Sequence, residues 1–225
     1  MTGVKGCETL DTRARSTLGS SHDAIYRMVN AAVIARGVEG GRLVDVGCGR
    51  GALWSVVSPL FDRYCGLDAV RYDTFPLCGE FRAVDLDAAD WPIAAGEADV
   101  VTAIETIEHL ENPWNFVRAL VRIARPGGWV VITTPNQLSA LSVLTLIVKQ
   151  RFSAFQDSHY PAHRTALLES DLLRVARAAG LEALAVAYSH YGRLPLAAAH
   201  CPEAIARLWP RALSDNLLVI GRKPR

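Results

Sequence analysis

Three side chains with catalytic potential follow one short apolar run. Glu105, Glu108 and His109 come directly after residues 100–104. If one helical turn carries them, offsets of three and four residues place both carboxylates and the imidazole on one face. Such a set could hold a divalent cation, Mg²⁺ or Mn²⁺ given the oxygen ligands, which would lower the pKa of a substrate hydroxyl. The alternatives are that His109 acts as a general base or positions the substrate, or that the cluster is purely structural.

A glycine-rich loop is the second feature with chemical potential. Gly47, Gly49 and Gly51 allow positive φ angles and a close approach of the backbone to a ligand. Gly47, Gly49 and Ala52 also satisfy the loose dinucleotide pattern G-x-G-x-x-A, so an oxidoreductase is one alternative. Asp45 lies just before the loop, where a carboxylate would repel a pyrophosphate and attract an ammonium group. The charge therefore favours a ligand with a cationic amino-acid head.

Short apolar segments and amphipathic segments alternate around these residues. This alternation predicts an α/β fold with a mostly parallel sheet and helices on both faces. The predicted strands are 43–46, 64–67, 81–84, 100–104, 129–133, 184–188 and 216–220. The predicted helices are 21–35 with Ser20 or Ser21 as cap, 53–60, 114–124 and 169–179. Residues 135–168 are too many for a plain connection and are expected to form a variable substrate or lid region.

Five motifs, in chain order, resemble those of class I S-adenosylmethionine-dependent methyltransferases. They are Asp45 with the three glycines, Asp68 in Gly66-Leu67-Asp68, Asp85-Leu86, Asp99-Val100-Val101 and Arg125-Pro126-Gly127-Gly128. The resemblance implies a Rossmann-like, seven-stranded, mostly parallel sheet with an antiparallel last strand. The terminal segments 184–188 and 216–220 would complete that sheet.

The same resemblance implies a role for each matching residue. It places Asp68 on the ribose hydroxyls of S-adenosylmethionine and Asp85 with Leu86 at the adenine, with Asp87 as the alternative to Asp85. The residues expected around the methionine end are Asp45, Gly47, Cys48, Gly49, Gly51 and Glu105. The chain is thus expected to be an enzyme with S-adenosylmethionine as cofactor.

The Glu105-x-x-Glu108-His109 segment resembles the ubiquinone-type O-methyltransferases and the small-RNA 2′-O-methyltransferases. The chain lacks the Trp-Trp-Asp stretch associated with the ubiquinone enzymes. The expected reaction is therefore O-methylation of a small, partly apolar metabolite: a phenol, a quinone-like compound or a natural-product hydroxyl. A metal-dependent RNA 2′-O-methyltransferase and a catalytically silent cofactor-binding relative are the alternatives.

Further substrate residues are expected in the variable region. Asn136, in Thr134-Pro135-Asn136, could orient the acceptor or only form a turn. His159 and His163 could approach the site as later ligands, or could only form local hydrogen bonds. Residues 137–155 are strongly apolar, and the cations Lys149 and Arg151 lie in their second half. They could line an apolar pocket, make a peripheral membrane contact through 138–155, or form an ordinary core helix.

Composition sets limits on the partners. The 225 residues suit one domain, here 1–225 with a polar leader at 1–20. The 24 basic and 23 acidic residues give no excess charge for nucleic acid, so the expected partner is a small molecule. Five cysteines without a CxxC pair and a leader without an apolar run predict a cytoplasmic protein with reduced thiols. The oligomeric state is not predicted.

Overall fold

The computed structural model describes residues 19–195, 197 and 199–225, so most of the predicted leader lies outside the described residues. Seven strands form one sheet in the order β3-β2-β1-β4-β5-β7-β6. The pairs from β3 to β5 are parallel, whereas β7 runs antiparallel to both β5 and β6. The predicted fold class, including the antiparallel last strand, is confirmed.

The strands lie close to the predicted positions. They are β1 Arg42–Val46, β2 Arg63–Asp68, β3 Glu80–Ala83, β4 Ala98–Ala103, β5 Ala124–Pro135, β6 Glu182–Tyr188 and β7 Asn216–Arg222. The largest difference is β5, which begins five residues before the predicted 129–133 segment. The Arg125-Pro126-Gly127-Gly128 motif lies inside β5, where pairing with β4 shifts register between Ala98 and Val100. The motif therefore forms an irregular stretch of β5.

Six α-helices connect these strands in the described residues: α1 Asp23–Ile34, α2 Trp54–Val57, α3 Pro113–Ile123, α4 Ala140–Lys149, α5 Glu169–Ala178 and α6 Glu203–Ala206. The N-cap of α1 is His22, whose side chain accepts from the Ala24 N–H, so the prediction of a serine cap is wrong. The predicted helix 53–60 divides into α2 and the 3₁₀ turn Ser58–Leu60. Helix α6 was not predicted, since its single turn is too short to show a periodic pattern.

The core has two layers, one on each face of the sheet. Val44 packs on the face that also holds Phe116 of α3 and Leu172 of α5. Leu43, its neighbour on β1, packs on the opposite face with Val29 of α1. Because successive residues of a strand point to opposite faces, a nearly continuous apolar strand supplies both layers. This double covering leaves the carboxyl ends of the parallel strands as the open edge.

Among the described residues, no helix is both long enough and apolar enough to cross a membrane.

Candidate active site

A cavity of about 710 Å³ opens at the carboxyl ends of β1, β2 and β4. The predicted cofactor residues that line it are Asp45, Gly47, Cys48, Gly49, Asp68, Asp85, Leu86 and Glu105. Gly51 does not line it: a Cβ at Gly51 would lie 2.4 Å from Pro76 Cδ, so this glycine serves close packing beneath the loop. Asp87 is also outside the lining, and its Oδ1 accepts from the Glu111 N–H. Of these two aspartates, Asp85 alone lines the cavity.

Asp45 is buried at the end of β1 with a defined set of partners. Thr102 Oγ1 donates to Asp45 Oδ1 at 2.7 Å, and the Tyr64 hydroxyl donates to Oδ2 at 3.0 Å. Burial raises the pKa of Asp45 to about 6, against the lowering by these two hydrogen bonds. Among the described residues, this buried carboxylate has two neutral hydrogen-bond donors and no ion-pair partner. An ammonium group in the cavity would supply a balancing charge.

The glycine loop is connected to Asp68 of β2. The Gly49 N–H donates to Asp68 Oδ2 at 2.8 Å, and the Ala69 N–H donates to Oδ1 at 2.7 Å. Gly49 has φ +51°, and a Cβ there would lie 2.3 Å from the Gly19 carbonyl oxygen. Only glycine fits at this position. The loop backbone and the Asp68 carboxylate are therefore held together at the cavity wall.

Residues 19–22 and Tyr26 also line the cavity, and sequence reasoning missed them. The Arg50 N–H donates to the Gly19 carbonyl at 2.8 Å, and the Ser21 N–H donates to the Tyr26 hydroxyl at 2.7 Å. The first bond fastens the chain before α1 to the glycine loop, and the second is local to the start of α1. No sequence pattern indicates the contact with the glycine loop, because the Arg50–Gly19 bond joins two backbone groups.

Glu105 departs from the predicted helical turn. Its φ is +48°, and the 3₁₀ turn Ile107–His109 begins only after it, so the offset rule that grouped it with Glu108 and His109 does not apply. Thr133 Oγ1 donates to Glu105 Oε1 at 2.9 Å, and Asn216 Nδ2 donates to Oε2 at 2.6 Å. Burial and the nearby Glu108 raise the pKa of Glu105 well above its ordinary value.

Glu108 is 1% exposed, and only one of its two carboxyl oxygens has a hydrogen-bond partner among the described residues. Thr134 Oγ1 donates to its Oε2 at 3.2 Å, whereas its buried Oε1 has no hydrogen-bond partner among the described residues. Burial raises the pKa of Glu108 to about 8. An unsatisfied buried carboxylate oxygen is costly, so this atom indicates a place for a donor or a cation.

Two histidines stand beside Glu108 with their rings oriented by backbone carbonyls. His109 Nδ1 lies 2.8 Å from the Ala162 oxygen, and His163 Nδ1 lies 2.7 Å from the Ala154 oxygen. In the neutral tautomer that donates to a carbonyl, the lone pair is on Nε2. Burial, together with His109, lowers the pKa of His163 to about 4, so His163 is neutral at pH 7.

Ligating atoms of Glu108, His109 and His163 all lie within 4.8 Å of one another. The grouping differs from the predicted metal set in one member, because His163 takes the place expected for Glu105. Sequence reasoning gave His163 as a substrate residue or a later ligand and left it out of the predicted metal set, and 54 positions separate it from His109. Backbone bonds bring it there: the Arg164 and Thr165 N–H groups both donate to the Glu108 carbonyl, at 2.9 and 3.0 Å.

The other two predicted substrate residues lie differently. His159 lines the cavity, and its ring is stacked on that of His163 with centroids 5.5 Å apart. Asn136 is buried outside this cavity, and its Nδ2 donates to the carbonyls of Arg211 and Ser214 at 2.7 and 2.8 Å. With its amide used in this way, Asn136 connects β5 to the segment before β7. The prediction that it orients an acceptor in the main cavity is not supported.

A family model described as "Methyltransferase domain" matches residues 23–186. The match covers most of the chain, including the glycine loop, Asp68 and the cluster of Glu108, His109 and His163. The chain therefore belongs to the methyltransferase family, in its class I, S-adenosylmethionine-dependent branch. The resemblance inferred from the motifs is confirmed.

A ubiquinone biosynthesis O-methyltransferase of Thiobacillus denitrificans is 30% identical over 151 residues, which are 64% of this chain and 65% of that protein. Among solved structures, a SAM-dependent methyltransferase of Archaeoglobus fulgidus superposes with a TM-score of 0.62 at 16% identity, covering 88% of this chain and 94% of the other. The [4+2]-cyclase SpnF superposes with a TM-score of 0.57 at 19% identity, covering 88% of this chain and 80% of the other. The two structures show the fold alone, and the same fold is found in a protein described as a cyclase.

Proposed function

We propose that this protein transfers the methyl group of S-adenosylmethionine to an oxygen of a small, partly apolar acceptor. The observation that carries the proposal is one continuous cavity. The loop of Gly47 and Gly49 with Asp45 and Asp68, which we call the cofactor end, and the cluster of Glu108, His109 and His163, which we call the acceptor end, line the same cavity. A cofactor seated at the glycine loop would present its sulfonium group toward the cluster. The similarity to the Thiobacillus O-methyltransferase supports oxygen as the target.

Methyl transfer is an in-line displacement. The acceptor oxygen forms a bond to the methyl carbon as the sulfur–carbon bond breaks, and the electron pair of that bond stays on sulfur. Alignment of the two reactants supplies most of the acceleration, and the acceptor must also lose its proton. In this chain Asp45 would hold the ammonium group, Asp68 the ribose hydroxyls, and residues 19–22 would limit the access of water to the cofactor.

The acceptor end fits a divalent cation. Glu108 Oε1 is buried without a partner among the described residues, and ligating atoms of Glu108, His109 and His163 lie within 4.8 Å of one another. One carboxylate and two imidazoles suit Mn²⁺ or another transition metal better than Mg²⁺, which prefers oxygen ligands. Such a cation, when bound, would lower the pKa of an acceptor hydroxyl. The carbonyls of Ala154 and Ala162 would keep both rings in the ligating orientation.

The proposal is tested first by binding. Calorimetric titration is expected to show micromolar binding of S-adenosylhomocysteine and no binding of NADH. The opposite result would assign the glycine loop to a dinucleotide and end the proposal.

Turnover is tested with labelled S-adenosylmethionine and separate acceptors: catechols with and without an alkyl chain, and a duplex small RNA. Label is expected in the catechols, with the alkylated one preferred, and EDTA is expected to abolish its transfer until Mn²⁺ is added. Label in RNA alone would favour the nucleic-acid alternative. Tight cofactor binding without transfer to any of these or to cell extracts would indicate a silent relative.

A further inference from the structure

A second cavity of about 240 Å³, which we call the side pocket, lies beside the main cavity. Its walls come from the residue before α1, the end of β5, the segment after α4, the connection between β6 and β7, and the start of β7. His22 and Asn216 line both cavities. A ligand that fills the main cavity therefore has a second space within reach, across two side chains.

The side pocket adjoins the acceptor end. Asn216 Nδ2 donates to Glu105 Oε2 at 2.6 Å. Ala154 lines the side pocket, and its carbonyl oxygen lies 2.7 Å from His163 Nδ1. Asp45, the glycine loop and Asp68, by contrast, line the main cavity but not the side pocket. A group in the side pocket would thus belong to the acceptor and not to the cofactor.

The polar groups of the side pocket already have partners. Arg193 Nε donates to Asp215 Oδ2 at 3.0 Å, so these two charges balance each other. Asn136 is engaged by backbone groups at both atoms of its amide, and Asn216 donates to Glu105. A charged ligand group would lose water here without gaining an opposite charge in excess. The side pocket therefore favours an uncharged group.

The shape of the lining favours a ring. The rings of His22 and Tyr191 are stacked with centroids 4.2 Å apart, and Tyr191 is stacked on His200 at 4.0 Å on the same terms. Pro135 and Ala154 add small apolar surfaces. Aromatic walls attract aromatic ligands, and an apolar cavity of about 150 Å³ is enough to bind benzene. The side pocket is thus large enough for one ring.

The apolar segment 137–155 reaches the side pocket through Ser153 and Ala154. In α4 itself the buried residue is Ser142, whose hydroxyl accepts from the Ser153 N–H at 3.2 Å. Ile147 and Val148 of the same helix are 68% and 69% exposed. The expectation of an ordinary core helix in this segment is wrong, because its aliphatic side chains do not cover the core.

We propose that the side pocket receives an uncharged aromatic ring of the methyl acceptor. The acceptor would then have two parts: a hydroxylated part at Glu108, His109 and His163, and a second ring beside Tyr191. The assignment of the first part rests on the proposed function. The inference names a substrate class, phenols that carry a second, uncharged ring.

Calorimetry tests the side pocket without turnover. Catechol, phenylcatechol and carboxyphenylcatechol are titrated into the protein saturated with S-adenosylhomocysteine in the presence of Mn²⁺. Phenylcatechol is expected to bind about tenfold more tightly than catechol, because its second ring leaves water. The carboxylate should lose most of this gain. Equal affinities for catechol and phenylcatechol, or tighter binding of the carboxylate, would overturn the proposal.

A variant that fills the side pocket tests its location. Ser153→Leu should abolish the roughly tenfold preference for phenylcatechol while leaving the affinities for catechol and S-adenosylhomocysteine unchanged. Ser153→Ala removes the same hydroxyl without filling the space and should keep the preference. Ser170→Leu, at an exposed position of α5 outside both cavities, should keep it too. A preference that survives in Ser153→Leu would overturn the proposal.

Transfer of labelled methyl groups separates this inference from the proposed function. Transfer to catechol without any preference for phenylcatechol would overturn the side pocket alone. Preferential binding of phenylcatechol that Ser153→Leu abolishes, without transfer to either compound, would overturn the proposed function and support the pocket as a ring-binding site. Binding of neither compound would overturn the side pocket.

Discussion

The two ends of the cavity are built in different ways. At the cofactor end, Asp45, Gly47 and Gly49 lie within five consecutive residues, and Asp68 follows from the next strand. At the acceptor end, Glu108 and His109 come from the end of β4, whereas His163 arrives from a segment that folds back on them. The first end depends on local backbone conformation, and the second depends on long-range docking. Substitutions should therefore damage the first through strain and the second through lost ligands or lost proton transfer.

The largest effect is expected at the acceptor end. His109→Ala should lower turnover by about 10²- to 10⁴-fold, whether the imidazole holds a cation or accepts the acceptor's proton. Affinity for S-adenosylhomocysteine should stay within a few-fold, because His109 is not assigned to the cofactor. The matched control is His159→Ala, which removes an exposed histidine of the same cavity. Full activity in His109→Ala would show that the chemistry lies elsewhere.

At the cofactor end, Gly49→Ala should weaken binding of S-adenosylhomocysteine by about tenfold or more and destabilise the fold, since positive φ in a non-glycine residue costs about 1–2 kcal/mol. The added Cβ would also meet the Gly19 carbonyl at 2.3 Å. Gly37→Ala is the control, because Gly37 has φ +62° and nothing within 4 Å of an added Cβ. Both variants place a non-glycine residue at positive φ, so the difference between them in calorimetry and thermal melting reports the clash with the Gly19 carbonyl. Equal cofactor affinities of the two variants would show that this close contact is not needed for cofactor binding.

Mn²⁺ binding by two variants can show whether His163 or Glu105 is the third ligand of the cation. His163→Ala should weaken binding of Mn²⁺, followed by electron paramagnetic resonance, by about 10- to 100-fold, on the scale that metal sites lose when supporting groups are changed. Glu105→Gln should bind Mn²⁺ nearly as well as the unchanged protein, because its carboxylate is occupied by Thr133 and Asn216. The reverse outcome would restore the set expected from sequence. No Mn²⁺ binding in any form would leave His109 as the base.

The smallest effect is a pH dependence at Asp45. Its pKa of about 6 in the cofactor-free protein means that a proton competes with the cofactor's ammonium group below pH 6. Affinity for S-adenosylhomocysteine should therefore fall by about tenfold between pH 7 and pH 5, since each unit below the pKa costs a factor of ten. Asp45→Asn should bind more weakly and lose this slope. An unchanged slope in the variant would assign the titration to another group.

The sign is opposite for the stability of the cofactor-free protein. Burial raises the pKa of Asp45 above its ordinary value of 3.8, so the folded state binds the proton more tightly than the unfolded state. The stability from this group is complete below pH 3.8 and is lost as the pH rises through about 6. Without cofactor, the melting temperature of the unchanged protein should therefore fall relative to that of Asp45→Asn as the pH rises through about 6. With cofactor bound, this pH-dependent difference should disappear.

The sequence by itself determined most of the fold and the cofactor end. Alternating apolar segments locate the strands and helices through local patterns. The glycine spacing and the strand-end aspartate could be recognised because they reflect backbone requirements within a few residues. The α4 sequence showed an apolar helix but not its direction, because a helical pattern states which residues share a face and not what covers that face.

The acceptor end was decided by tertiary structure. The positive φ of Glu105 removed it from the turn, and no sequence pattern marks such a residue when it is not glycine. His163 joined Glu108 and His109 only because the backbone of residues 164 and 165 docks on the Glu108 carbonyl. Residues 19–22 likewise reach the glycine loop through a backbone bond. Long-range contacts between backbone groups carry no residue signature, so the fold alone could place these parts of the site.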